Sequence, residues 1–75
     1  MDIIMVTSAK KLGQNMKRIR LAKQMSQGDI CRKLDLGRSY ISNVENGKNN
    51  PTLSTIIKIA KALEISVDEL LRNVT

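Results

Sequence analysis

The stretch Gln27–Asn46, QGDICRKLDLGRSYISNVEN, decides the fold. Ser26 stands just before it and Asp29 lies three residues on, a pair that resembles a capping box with Asp in place of the usual Glu. Ile30 and Leu34 follow at i and i+4, the buried pair of a short helix ending near Leu34. Asp35-Leu36-Gly37 then breaks the pattern. From Arg38 the helical period resumes, with Ile41 and Val44 apolar at i and i+3 and Arg38, Ser39, Ser42 and Asn43 polar. Asn46-Gly47 stops it, because Gly readily supplies the left-handed position after a helix end. Two short helices that cross closely need a small side chain inside the first, which Cys31 offers. They also need apolar anchors, and Ile30, Leu34, Leu36, Ile41 and Val44 are all in place.

Outward from this stretch the same reading yields three more helices. Upstream, Ser8 can cap a first helix running to about Gln24, with Leu12, Met16 and Ile19 on one face and Lys17, Arg18 and Lys23 free to face water. Downstream, Gly47-Lys48-Asn49-Asn50-Pro51 is a loop by composition. Thr52 can cap a fourth helix whose Ile56, Ile59, Ala60 and Leu63 form a buried stripe with Ile57 alongside. Ser66 with Glu69 is a second and cleaner capping box, opening a fifth helix that carries Leu70 and Leu71. Only Ile3 to Val6 could be read as a strand. The expected fold is all-α, a compact bundle of five helices.

Composition narrows the chemistry. The 75 residues make one small domain with a thin core. Cys31 is the single cysteine and there is no His, which excludes an intramolecular disulfide framework, a His/Cys metal site and any nucleophile relying on a His base. So short a chain also offers little concave volume for catalysis, and neither an enzyme nor a cofactor, metal or small-molecule ligand is expected. Thirteen Lys and Arg against seven Asp and Glu leave +6. Residues 1–50 hold ten basic side chains against four acidic ones, whereas residues 51–75 hold three of each. The excess is therefore concentrated in the first two thirds, which points to one basic face and a polyanionic partner. Met1–Val6 is apolar apart from Asp2 but too short to span a bilayer or serve as a signal core. A cytoplasmic protein with a reduced Cys31 is the expectation.

The details around the two central helices carry a resemblance. Ile19-Arg20-Leu21, Ser26-Gln27, Tyr40-Ile41-Ser42, Glu45-Asn46-Gly47-Lys48, Asn50-Pro51 and Ile59-Ala60-Lys61-Ala62-Leu63 resemble the Cro/C1-type (XRE-like) helix-turn-helix family. The similarity runs from Leu12 to Leu71, about 60 of the 75 residues. It implies a lambda-repressor-like domain over residues 9–72, with its helix-turn-helix at 27–46, an apolar arm at 1–8 and a tail at 73–75. It also implies binding to duplex DNA, usually as a homodimer on a palindromic operator. The short free-standing length resembles phage repressors, restriction–modification controller proteins and antitoxins alike. Two positions depart from the family's pattern. Asp35 stands where Gly usually takes the left-handed turn conformation, a strain of ~1 kcal/mol. Gly37 stands where Ser or Thr often caps the recognition helix, which reduces its phosphate contact to a backbone N–H.

In such a domain the N-terminal residues of the recognition helix reach base edges in the major groove. These are Arg38, Ser39 and, one turn on, Asn43. Arg38 can place two N–H groups on guanine O6 and N7, or instead hold a phosphate; Asn43 can pair with adenine, or stay on a solvated face. Tyr40 is read as a phosphate or thymine-methyl contact, with a ring packed over the helix edge as the alternative. Ser42 looks outward toward phosphate or base. Gln27 sits at the positive end of its helix, where family members commonly hold a phosphate. Asn46, Lys48, Asn49 and Asn50 flank the exit of the recognition helix as the clamp on the opposite DNA backbone, with a solvated loop as the alternative for Asn49 and Asn50, while Gly37 offers phosphate its backbone N–H. Lys10, Lys11 and Lys17 add long-range attraction. The resemblance further implies a partly buried ion pair between Arg20 and Glu45.

Val67, Leu71 and Val74 are the expected dimer contacts, with Leu70 in the core and Ile3, Ile4, Met5 and Val6 covering or extending the patch. A two-fold axis there would set two recognition helices about 34 Å apart, matching successive major grooves. Regulation would then come from occupancy, by blocking RNA polymerase or touching it when bound upstream. The rival readings are an antitoxin or other protein-partner module on the same scaffold, and a single-stranded RNA binder. Tyr40 as sole aromatic disfavours the last, because base stacking needs aromatic platforms.

Overall fold

The computed structural model describes the backbone of residues 2–74 and the side chains of residues 8–74. Five helices follow one another, α1 (Asp2–Ala22), α2 (Gln27–Leu34), α3 (Arg38–Glu45), α4 (Leu53–Leu63) and α5 (Val67–Leu70), with no strand among the described residues. The first begins at Asp2, not at a Ser8 cap, so the expected arm of residues 1–8 is helical backbone from Asp2 onward and Ile3–Val6 is not a strand. Nothing in residues 2–12 breaks a helix, since the first Gly is Gly13 and Pro51 is the only proline. The expectation that Ile3, Ile4, Met5 and Val6 cover the dimer patch lies outside the described side chains. The far end of α1 stops at Ala22, two residues short of expectation, where Gln24 turns into the left-handed region at φ 59°.

The caps explain the other boundaries. At α2 the Ser26–Asp29 box closes in both directions: Ser26 Oγ accepts from Asp29 N at 3.0 Å and Ser26 N donates to Asp29 Oδ2 at 2.8 Å. Asp35 ends that helix in the left-handed region at φ 56°, ψ 38°, as the turn requires. Gly37 starts α3 in extended conformation with no side-chain cap, and Gly47 at φ 75° follows its end. Thr52 Oγ1 accepts from Thr55 N to begin α4. The box expected to be cleaner, at Ser66, shows the hydroxyl's bond from Glu69 N at 3.0 Å, and the fully reciprocal box is the one at Ser26.

One core joins all five helices, built on Leu12, Met16, Ile19, Ile30, Ile41, Val44, Ile59, Ala60, Ala62, Leu63 and Leu70. Each fully buried aliphatic side chain contributes about 1.5–3 kcal/mol, so a chain without Phe or Trp depends on every one of them. Leu34, Leu36 and Cys31 are half-buried and pack against this core. A close backbone approach lies between α1 and α3. A Cβ on Gly13 would fall against the Val44 carbonyl oxygen and 2.6 Å from that of Glu45, so only glycine lets the α1 backbone rest on the end of α3. Ile56 is half-buried and Ile57 is 38% exposed, where a buried stripe was expected.

Candidate nucleic-acid interface

The two faces of α3 are sharply different. Ile41, Val44 and Glu45 are buried, while Arg38 and Ser39 are exposed and Ser42 and Asn43 half-exposed. Helical spacing explains the grouping: Arg38 with Ser42 and Ser39 with Asn43 are i, i+4 pairs on one face. Gln27, from the first turn of α2, joins them, and these five residues line one open depression. The three side chains read as base contacts and two of those read as phosphate contacts therefore come together.

Gln27 is not a free side chain. Its Nε2 donates to Glu45 Oε1 at 3.0 Å, which fixes the amide against the end of α3. Glu45 in turn accepts from Arg20, Nε to Oε2 at 2.7 Å and Nη2 to Oε1 at 3.1 Å. Arg20 Nη1 donates to the Met25 carbonyl at 2.8 Å, closing the turn between α1 and α2. Arg20 and Glu45 are 7% and 6% exposed, so the pair is architecture and Arg20 has no reach into the depression. Asp29 also feels its surroundings: the Ser26 backbone and hydroxyl, then Arg32, hold its carboxyl below the ordinary carboxylate value.

The remaining expected contacts sit around the depression rather than in it. Gly37 is exposed beside Arg38, and a Cβ built there meets nothing within 4 Å. Tyr40 packs part of its ring against the core. Asn46 is exposed, its Nδ2 at 3.5 Å from Ser42 Oγ. Lys48 and Asn50 are exposed and Asn49 half-buried, with Lys48 N held by the Asn43 carbonyl at 2.8 Å. Lys10 and Lys17 are exposed and Lys11 half-exposed. A second depression lies between α2 and α4, lined by Lys33, Leu34, Lys58, Lys61 and Ala62, with no residue of α3.

Val67, Leu71 and Val74 are half-buried and pack against the core. The large apolar side chains most open to water are instead Leu53 at 66% and Leu21 at 56%, with Ile57 next. Leu53 and Ile57 lie one turn apart on α4, and that i, i+4 spacing was the signal available for them in the sequence. Among the described residues no group of His, Cys, Asp and Glu could hold a metal ion, and no helix is long and apolar enough to cross a membrane.

With this geometry in place, a helix-turn-helix family profile matches residues 16–70, and the chain belongs to that family. It is 45% identical over 60 residues to control protein C.BamHI of Bacillus amyloliquefaciens, covering 79% of this chain and 74% of that protein. The crystal structure of the restriction-modification controller protein C.AhdI from Aeromonas hydrophila superposes with a TM-score of 0.79 at 40% identity, over 83% of this chain and 94% of that one. The controller protein C.Esp1396I, solved as a tetramer in complex with its natural 35 base-pair operator, gives a TM-score of 0.74 at 34% identity, over 87% and 96% of the two chains.

Proposed function

We propose that the protein is a sequence-specific double-stranded DNA-binding transcriptional regulator that acts as a homodimer on an inverted-repeat operator. The observation that carries this reading is the depression in which Gln27 of α2 meets Arg38, Ser39, Ser42 and Asn43 on the open face of α3. Arg38 and Asn43 are the side chains able to read a base pair by two hydrogen bonds, and Ser39 supplements them. Gln27 and the Gly37 N–H set the domain on one phosphate strand, while Asn46, Lys48 and Asn49, with Ser42 and Tyr40 at the edge, engage the flanking backbone. The controller proteins it resembles support the regulatory assignment, and the operator complex of one of them supports DNA as the partner. The work is that of a binding protein in the cytoplasm, not of an enzyme.

Dimerisation uses the half-buried Val67, Leu71 and Val74 together with the exposed Leu53 and Ile57 of α4, the helix on which α5 packs. A self-complementary apolar patch around a two-fold axis fits an inverted repeat, because both then carry the same symmetry. Regulation follows from occupancy, by excluding RNA polymerase or touching it from an upstream site. Selection from randomised duplex DNA at about 150 mM salt tests the reading, since non-specific attraction is screened there. Recovery of an inverted repeat with half-sites about one helical turn apart is the expected result. Recovery of no motif, with binding that vanishes as salt rises, would sink it in favour of a protein-partner module.

A further inference from the structure

Helix α1 holds the recognition helix at two points. Gly13 lets its backbone lie on the end of α3, and Arg20 grips Glu45. The seven-residue step from Gly13 to Arg20 spans about 10 Å at 1.5 Å per residue, a stiff rod. Asn15 lies on that rod and points elsewhere. Its side chain is buried, only 5% of the residue being exposed, and Nδ2 donates to the Leu70 carbonyl at 3.0 Å and the Arg72 carbonyl at 2.9 Å. Both partners are acceptors, so the carboxamide must present its nitrogen and uses both N–H groups. These carbonyls stand at and just beyond the end of α5, where a helix leaves acceptors unpaired. Past them Asn73 turns in the left-handed region at φ 63°, and Val74 N returns to the Leu71 carbonyl at 3.1 Å. A four-residue helix has little rigidity of its own. The turn carrying Leu71 and Val74, packed on the core beside α4, is therefore tied by hydrogen bonds to α1.

We propose that Asn15 is a positioning residue for operator recognition: it ties the C-terminal turn to the same helix that grips α3, and so sets the separation of the two recognition helices in the dimer. The inference rests on the dimeric reading above. Across a two-fold axis any tilt of the turn against α1 enters twice, once in each protomer, so a small loosening spreads the distances the dimer can span. A residue that merely closed a helix end would change stability and leave the preferred spacing alone.

The test uses the full chain and duplexes carrying the selected half-sites with the spacer changed by one and two base pairs either way. Wild type should lose about 100-fold in affinity off its preferred spacing, as a rigid bivalent binder does when both sites cannot be engaged. Asn15→Ala, with helical circular dichroism retained, should vary by less than about fivefold over the same series, because a loose dimer still reaches both half-sites. Asn15→Ser, which keeps one O–H donor, should fall between the two and serves if the alanine variant does not fold. A profile as steep in the variants as in wild type would overturn the inference while leaving the dimer standing. A flat profile in wild type itself would overturn the dimeric reading, and the role of Asn15 with it.

Discussion

The Arg20 guanidinium and the Glu45 carboxylate meet across the α1–α3 contact in a two-point pair, with N–O distances of 2.7 and 3.1 Å. The same carboxylate takes the Gln27 amide, and the same guanidinium takes the Met25 carbonyl. One ion pair thus orders the end of the recognition helix, the start of α2 and the turn between α1 and α2. A buried pair of this kind gives little net stability over apolar packing, but it is costly to break because the remaining charge stays buried.

Arg20→Ala and Glu45→Ala should each destabilise the chain by about 3–5 kcal/mol, measured by urea denaturation. Arg20→Met combined with Glu45→Leu should recover most of that loss, since no charge is left without a partner. Single variants costing less than about 1 kcal/mol would place the pair among ordinary surface ion pairs.

Gly37→Ser should both stabilise the fold and tighten DNA binding. The position is extended at φ −68°, ψ 151°, which suits any residue, and nothing crowds a Cβ there. A hydroxyl would cap α3 for a few tenths of a kcal/mol and could add a phosphate hydrogen bond. Thermal melts and a DNA titration check the two effects separately. A drop in affinity would mean that the backbone of the DNA lies too close for a side chain.

Acid should weaken the start of α2 through Asp29. Its carboxyl is held below the ordinary value of 3.8, first by the Ser26 backbone bond, so its contribution is fully present above that value and is lost as pH falls through the lowered one. Stability of wild type and Asp29→Asn, compared from pH 6 down to pH 2, should show a gap at the upper end that closes at the lower end. A gap independent of pH would contradict the capping role of the charged form.

Leu53→Glu should leave the fold intact, because its side chain is 66% exposed, and Ile57→Glu, at 38%, should cost some stability without unfolding the chain. Sedimentation equilibrium should show the dimer dissociation constant raised tenfold or more, about 1.4 kcal/mol or above. Dimerisation unchanged by both substitutions would confine the interface to α5 and its following turn.

The parts of the fold legible in the sequence are those governed by local chemistry. Ser26, Thr52 and Ser66 begin helices because a side-chain oxygen satisfies a first-turn N–H, and that need is visible in the residue type alone. The apolar period placed Ile30, Ile41, Val44, Ile59 and Leu63 in the core for the same local reason. What was not legible depends on partners distant in the chain. Gly13 reads as a weak point in a helix until α3 is laid against it. Asn15 reads as one polar residue among many until the Leu70 and Arg72 carbonyls arrive 55 and 57 residues later. Gln24 and Glu64 take left-handed conformations without the glycine that would announce them, because the turn they make returns Met25 N to the Arg20 carbonyl and Ile65 N to the Ala60 carbonyl, satisfying the helix ends. Within the site, the shared face of Arg38, Ser39, Ser42 and Asn43 followed from helical spacing, whereas the tether of Gln27 to Glu45 required the crossing of α2 and α3.

The central claim is that the open face of α3 reads base edges while its flanks hold the backbone. A base-by-base substitution series through the selected operator, titrated at about 150 mM salt with wild type, Arg38→Ala and Lys48→Ala, tests it most directly. Arg38→Ala should lose discrimination at one base pair in each half-site, worth about 1–3 kcal/mol, and keep it elsewhere. Lys48→Ala should weaken every duplex by the same factor and lower the salt dependence. Uniform loss in both variants would contradict the assignment of Arg38 to base readout and leave α3 a backbone contact only.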